Sequence, residues 1–398
     1  MTILLSNLMI YRNLCNDDII NNYINLYNKL QKNEFYESFN KVYYGICSFL
    51  IYNGYNSIND YIFKKIMKDE NIFSLSCEKG IKINLMIKKA AMHDIAILKD
   101  LSRLSLSLKE ISQAALDNNH FIGYGNTERL TNIFNKEVED IYNYLFEEYT
   151  ASGCGEYRDN YAFSINDEGS LFPVYDFNPV VMENIFGYER QKNRVIENTK
   201  KFVSGRSALN TLLVGDSGTG KSTTVKALIP MFKDMKLRMI EADKSKLNYI
   251  PDILRKLRER GMYFIIFIDD LSFDTNEDGY KYLKSVVEGS IHEQPDNVLF
   301  YITSNRKHLI RENFLERENE VHVRDAINEQ TSLSDRFGLT VIYYEADQEE
   351  YFNIVLGLAD EHCLTYDEEH LLAEAKKFAF KNGGRTGRTA TQFIKSLS

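Results

Sequence analysis

The eight residues Gly215-Asp216-Ser217-Gly218-Thr219-Gly220-Lys221-Ser222 constrain what this chain can fold into more than any other stretch of it. They follow the apolar run Leu212-Leu213-Val214 and precede a segment of helical periodicity, so the glycines fall where a strand turns sharply into a helix. Glycine lets successive backbone N–H groups converge on one point, and the helix start adds the positive end of its dipole there. The pattern is therefore a phosphate-binding loop, with Lys221 placed to reach β- and γ-phosphates and Ser222 to offer a hydroxyl to Mg²⁺. Thr223, next in line, is counted with the loop. A Gly-rich surface turn is the rival reading, and the flanking strand and helix weigh against it.

A second stretch complements the first. Phe264-Ile265-Ile266-Phe267-Ile268 is a buried-strand pattern that ends in Asp269-Asp270, and a nucleotide site needs an acidic group near its metal. Asp269 would orient Mg²⁺ through its waters, and Asp270 would act as general base toward the attacking water. Many enzymes of this type carry Glu at the second position, one methylene longer. Taken alone, an acidic pair closing a strand is as well explained by a turn or helix cap.

Proline divides the chain. All five prolines (Pro173, Pro179, Pro230, Pro251, Pro295) follow Phe172, and the region before them is rich in Tyr and Asn. That region reads as a helical bundle, clearest where Leu130, Ile133, Phe134, Val138, Ile141, Tyr142 and Leu145 recur on one face. Its aromatics, among them Tyr23, Tyr27, Phe35, Tyr43 and Tyr44, suit packing inside the bundle; a recognition surface is the alternative. Gly153, Gly155, Gly169, Pro173 and Pro179 make 151–180 a linker. Beyond it, strands at Thr211–Val214, Leu237–Glu241, Tyr263–Ile268, Val298–Ile302 and Thr340–Tyr344 alternate with helices around Thr223–Phe232, Ile250–Arg260 and Gly279–Glu288. Three helical stretches close the chain, marked by Tyr351, Ile354, Val355 and Leu358, by Leu371, Leu372, Ala375 and Phe378, and by Ala390, Phe393, Ile394 and Leu397. The expected domains are 1–150, helical; 151–180, linker; 181–345, α/β; and 346–398, a helical lid.

With this order established, the chain resembles the AAA+ ATPases. Val298–Asn305 is similar to the strand that ends in a sensor-1 polar residue, a likeness that implies Asn305 lies between γ-phosphate and attacking water. Ser332-Leu333-Ser334-Asp335-Arg336-Phe337-Gly338 resembles the arginine-finger segment, which implies that Arg336 enters a neighbouring subunit's site. A surface pair of Arg336 with Asp335 is the plainer alternative. Gly383–Thr389 resembles the sensor-2 helix start, with Arg388 the first choice for the nucleotide contact and Arg385 the reserve. Ile185-Phe186-Gly187-Tyr188 resembles the segment that packs on adenine, with Ile185 the expected contact. Together with Asp269–Phe273, Tyr280–Ser285 and Thr303–Leu309, these motifs are similar to a bacterial AAA+ family catalogued only as a domain of unknown function. In that family the second acidic residue is also Asp.

The resemblance implies an α/β fold: a P-loop AAA+ core with a parallel five-stranded sheet, a helical C-terminal lid and a mainly helical N-terminal domain. It implies ATP and Mg²⁺ as cofactors, hydrolysis at the interfaces of a homo-oligomer, and an unknown protein partner whose conformation the cycle changes. The alternative is a nucleotide-gated switch or loader acting on DNA or a DNA-bound protein, with slow hydrolysis. Arg255, Lys256, Arg258 and Arg260 on one helix are its basic cluster, although such a run is also an ordinary solvated face. A net charge of −9 opposes extensive nucleic-acid binding. The five scattered cysteines form no disulfide or zinc pattern, the histidines show no metal-ligand spacing, and no leader or membrane span is expected, so a cytoplasmic protein is the reading.

Overall fold

The computed structural model describes residues 5–31, 37–115, 133–271, 294–305 and 337–397. The chain divides into two compact units, Met1–Arg158 and Asp159–Ser398.

Amphipathic periodicity makes the first unit helical. It contains α1 (Asp18–Gln31), α2 (Glu37–Tyr52), α3 (Ile58–Lys68), α4 (Ile72–Glu78), α5 (Leu85–Ala115) and α6 (Val138–Ser152). Tyr11, Ile62, Phe73, Leu101 and Tyr149 lie in its core. Tyr23 and Tyr27 are buried in this core, whereas Tyr44 is exposed and Phe35 lies outside the described residues. Asp94 on α5 is fully buried, and its carboxylate accepts from the N–H groups of Met9, Ile10 and Tyr11. Those bonds fasten the N-terminal backbone to the bundle.

In the second unit, strands with apolar residues at nearly every position require cover on both faces, as a parallel sheet with flanking helices provides. Among the described residues the sheet has seven strands in the order β2-β1-β4-β5-β6-β3-β7. Their ranges are β1 Ala162–Ile165, β2 Leu171–Pro173, β3 Thr211–Gly215, β4 Leu237–Glu241, β5 Tyr263–Ile268, β6 Val298–Ser304 and β7 Leu339–Tyr343. All neighbours are parallel except β1 and β2.

The five-strand expectation is thus corrected to seven, because β1 and β2 come from the stretch read as a linker. Its Asn166, Asp167 and Gly169 form the hairpin turn between them: the Asn166 side chain accepts from the N–H groups of Glu168 and Ser170. Turn chemistry that separates domains and turn chemistry that joins two short strands look alike in sequence.

Among the described residues the helices of this unit are α7 (Glu189–Val203), α8 (Lys221–Lys226), α9 (Leu228–Phe232), α10 (Ile250–Arg258), α11 (Gln348–Glu361), α12 (Glu368–Lys381) and α13 (Gly387–Lys395). The single helix expected around Thr223–Phe232 is two, since Pro230 cannot donate the bond that would bridge back to Lys226. The Gly279–Glu288 helix lies outside the described residues. Helices α11 to α13 pack on one another through Tyr351, Ile354, Ala375, Phe393 and Ile394.

The register brings the carboxyl ends of three strands together, where α/β sheets bind their ligands. Val214 of β3 pairs with Ser304 of β6, and Ile268 of β5 pairs with Ile302 of β6. The phosphate-loop sequence, the two aspartates and Asn305 therefore emerge side by side.

Candidate functional site

Gly215 turns out of β3 at φ 143°, a conformation that side chains rarely adopt. A Cβ there would stand 1.8 Å from the Tyr343 carbonyl oxygen of β7, so the loop leaves the sheet where only glycine fits. Gly218 and Gly220 also have positive φ, at 82° and 86°, and α8 starts immediately afterwards.

Lys221 is buried and folds back over this loop. Its ammonium donates to the carbonyls of Gly215 and Asp216, each at 2.8 Å, and to Asn305 Oδ1 at 3.0 Å. Burial holds it below the usual lysine range, while Asp216, Asp270 and Asp269 pull it upward. Ser222 Oγ donates to Asp269 Oδ1 at 2.5 Å. The Asn305 amide donates to Asp270 Oδ1 at 2.6 Å, so it joins the lysine to the second aspartate.

Sequence reasoning missed one member of the cluster. Thr303 is buried, its hydroxyl lies 2.5 Å from Asp269 Oδ1, and it accepts from the Asp270 N–H at 2.8 Å. A polar residue at an inward position near the end of an otherwise apolar strand was the available signal.

The lid reaches the same loop. Arg388 N–H donates to the Gly218 carbonyl at 3.1 Å, and a Cβ on Gly218 would lie 2.9 Å from Arg388 Cβ. Thr386 caps α13 by accepting from Thr389 N–H at 3.2 Å. Of the two arginines, Arg388 lines the cavity described below, whereas the Arg385 backbone N–H donates to Glu345 at 2.8 Å and its side chain lies beside the same carboxylate.

These groups line a cavity of about 710 Å³. Ser217, Gly218, Thr219, Gly220, Lys221, Ser222 and Thr223 form its polar wall with Asp269, Asp270, Thr303 and Asn305. Ile185, Phe186, Ile354 and Leu358 form an apolar wall, to which α11 contributes the last two. Tyr188 N–H donates to Glu350 on α11 at 2.8 Å, tying the segment before α7 to the lid. Volume and lining suit a ligand with a flat apolar part and an anionic tail.

Gly215 and Asp216 contribute carbonyl oxygens to Lys221 rather than cavity wall. Arg336 and the Tyr280–Ser285 and Arg306–Leu309 segments lie outside the described residues. Of the four basic residues near α10, Arg255, Lys256 and Arg258 are exposed, with Arg255 ion-paired to Asp252, whereas Arg260 is only 8% exposed.

A family model described as "Protein of unknown function (DUF815)" matches residues 157–398, more than half of the chain. Among solved structures, the Thermotoga maritima RuvB Holliday junction branch migration motor is 18% identical with a TM-score of 0.39, over 55% of this chain and 64% of that one. A mutant of Thermotoga maritima RuvB is 14% identical with a TM-score of 0.35, over 56% of this chain and 73% of that one. The chain thus spans just under two thirds of the first RuvB structures it matches, and a likeness of this extent says nothing of substrate or partner. Among curated proteins none matches.

Proposed function

The chain belongs to the DUF815 family across residues 157–398, and from this premise we propose that its second unit is an AAA+ P-loop core that binds ATP with Mg²⁺ and hydrolyses it. One observation carries the reading: Lys221, Asn305 and Asp270 are linked in a chain of hydrogen bonds, beside the Ser222–Asp269 pair, on one wall of a cavity whose other wall is apolar.

The donor set fits the metal. A hydroxyl and a carboxylate oxygen suit a hard cation that takes its other ligands from phosphates and water, as Mg²⁺ does. Ser222 and Asp269 would hold the Mg²⁺, which would supply positive charge beside the phosphates.

Lys221 exchanges two loop carbonyls for β- and γ-phosphate oxygens, and the exchange keeps its charge paired throughout. Asp270 takes the proton of the attacking water, and Asn305, within reach of both Asp270 and Lys221, orients that water beside the γ-phosphate. Arg388 contacts the nucleotide from the lid. The base lies against Ile185, Phe186, Ile354 and Leu358.

Arg336 completes the site of a neighbouring copy, which makes the active form a homo-oligomer, and the cycle changes the conformation of a partner protein. On this reading the protein resides in the cytoplasm, whose reducing conditions suit Cys15, Cys47, Cys77, Cys154 and Cys363, none of which forms a disulfide in the structure. The alternative, a DNA switch or loader, draws little support from the Arg255–Arg260 stretch, where Arg255 is ion-paired with Asp252 and Arg260 is buried.

Phosphate release from ATP, followed across a protein concentration series for wild type, Lys221→Ala and Arg336→Ala, tests this. Turnover per chain rises with concentration and is lost in both variants. A rate independent of concentration and untouched by Arg336→Ala would remove the shared site, and ATP binding without turnover would remove hydrolysis.

A further inference from the structure

We propose that Thr303 is the positioning residue for both carboxylates: its one hydroxyl sets Asp269 against Ser222 and, through the Asp270 peptide, sends the Asp270 side chain toward Asn305. The proposal rests on the ATP-hydrolysing reading above and extends it to a residue that acts through the two carboxylates it bonds.

A hydroxyl carries one donor and two acceptor positions. The Asp270 N–H can only donate, so at 2.8 Å it occupies an acceptor position on Thr303 Oγ1. The single hydroxyl proton is then left for Asp269 Oδ1, 2.5 Å away, which also accepts from Ser222. Two donors on one oxygen set the rotation of the Asp269 carboxylate. The Thr303 carbonyl in turn accepts from Leu271 N–H at 2.8 Å, so one residue grips three consecutive positions of the acidic segment.

The grip has something to hold. Asp270 has φ 48°, in the left-handed region that a non-glycine residue leaves unless neighbours hold it there. The turn parts the two side chains: Asp269 bonds Ser222 on one side, and Asp270 bonds the Asn305 amide at 2.6 Å on the other. Metal holding and water activation need different places, and adjacent residues on a regular strand would point to opposite faces of the sheet instead. Thr303 is 1% exposed, so no solvent replaces its hydroxyl if it is removed.

The test uses the full chain with Thr303→Val, which keeps the shape and loses the hydroxyl, and Thr303→Ser, which keeps the hydroxyl. Melting temperature, ATP affinity in EDTA, the gain in ATP affinity on adding Mg²⁺, and kcat and KM are measured. Thr303→Val keeps its affinity in EDTA, loses most of the Mg²⁺ gain, and loses roughly tenfold to a hundredfold in kcat, with KM raised by about the factor that the Mg²⁺ gain has lost. Thr303→Ser recovers most of both. A Mg²⁺ gain and kcat in Thr303→Val within about twofold of wild type would overturn the proposal, as would Thr303→Ser as defective as Thr303→Val. If Thr303→Val does not fold, Thr303→Ser against Thr303→Cys makes the same comparison, since a thiol is a weak donor. Wild type that binds ATP without turnover would refute hydrolysis, and the Mg²⁺ gain would still decide the role of Thr303.

Discussion

At the end of the cavity proposed for phosphate the polar groups are already bonded to one another, Lys221 to Asn305 and two carbonyls, Ser222 to Asp269, whereas at the end proposed for the base Ile185, Phe186, Ile354 and Leu358 are apolar groups lining a wall. The first arrangement has directions and short distances, so small displacements break it. The second is non-directional, so side chains can shift and still cover the base. A ligand entering the phosphate end replaces existing bonds, while one entering the base end covers apolar surface.

Substitutions at glycines separate the two ends most strongly. Gly215→Ala puts a methyl group 1.8 Å from the Tyr343 carbonyl in a conformation alanine avoids, and the expected loss is on the order of 4 kcal/mol in a denaturant titration. A variant as stable as wild type would show that the loop can leave β3 by another path.

Gly218→Ala and Gly220→Ala share a backbone strain of about 1–2 kcal/mol. Only the first also meets the lid, with Arg388 Cβ at 2.9 Å and Thr386 Oγ1 at 3.1 Å; nothing lies within 4 Å of the second. Gly218→Ala is therefore the less stable of the two, and equal denaturation midpoints would mean that the lid does not rest on the loop.

At the base end, Gly357→Ala places a methyl group 2.3 Å from the Phe186 ring, and a cost of roughly 1–2 kcal/mol follows as that ring moves. Calorimetric titration should show weaker ATP binding with unchanged binding of inorganic triphosphate, which reads the phosphate end alone. A parallel loss for both ligands would erase the distinction between the ends.

The depressed pKa of Lys221 gives the phosphate end a pH signature. Its charged form is lost at a lower pH than that of an exposed lysine, so triphosphate affinity falls as pH rises, starting below the ordinary lysine range near about 10.4. In the ligand-free protein the unfolded chain binds the extra proton across that same window, so this group's contribution to stability rises with pH there. Affinity that stays level until the ordinary lysine range would place the ammonium in solvent. The smallest effect belongs to Asn184→Ala, which removes an exposed 2.7 Å bond to Glu361 on α11 and should change stability by no more than about 0.5 kcal/mol; a larger change would mean that the base end is latched rather than packed.

The same contrast explains what could be read without the structure. Gly215–Ser222 and β5 with its two aspartates are contiguous strings whose local conformation lies in their own dihedral needs and apolar runs, and the strands, the glycine turn and the helix start fall where they were expected. The β1–β2 hairpin was hidden because Asn166 and Gly169 signal a turn without saying what it joins. Thr303 was passed over because its hydroxyl matters only when Asp269 and Asp270 lie beside it, a consequence of parallel pairing between β5 and β6. Arg260 counted as a surface charge until burial showed otherwise.

Sequence alone determined the backbone turn at Gly215–Gly220, the alternation of strands and helices, and the glycine, lysine and hydroxyl types of the loop, because each depends on neighbours a few residues away. Tertiary structure decided that Lys221 meets Asn305, that Asp269 and Asp270 part, and that Arg388 rather than Arg385 faces the cavity. Those meetings join positions up to about 170 residues apart, and sheet register and lid packing, which arise from burial of the whole core, set which atoms arrive within bonding distance.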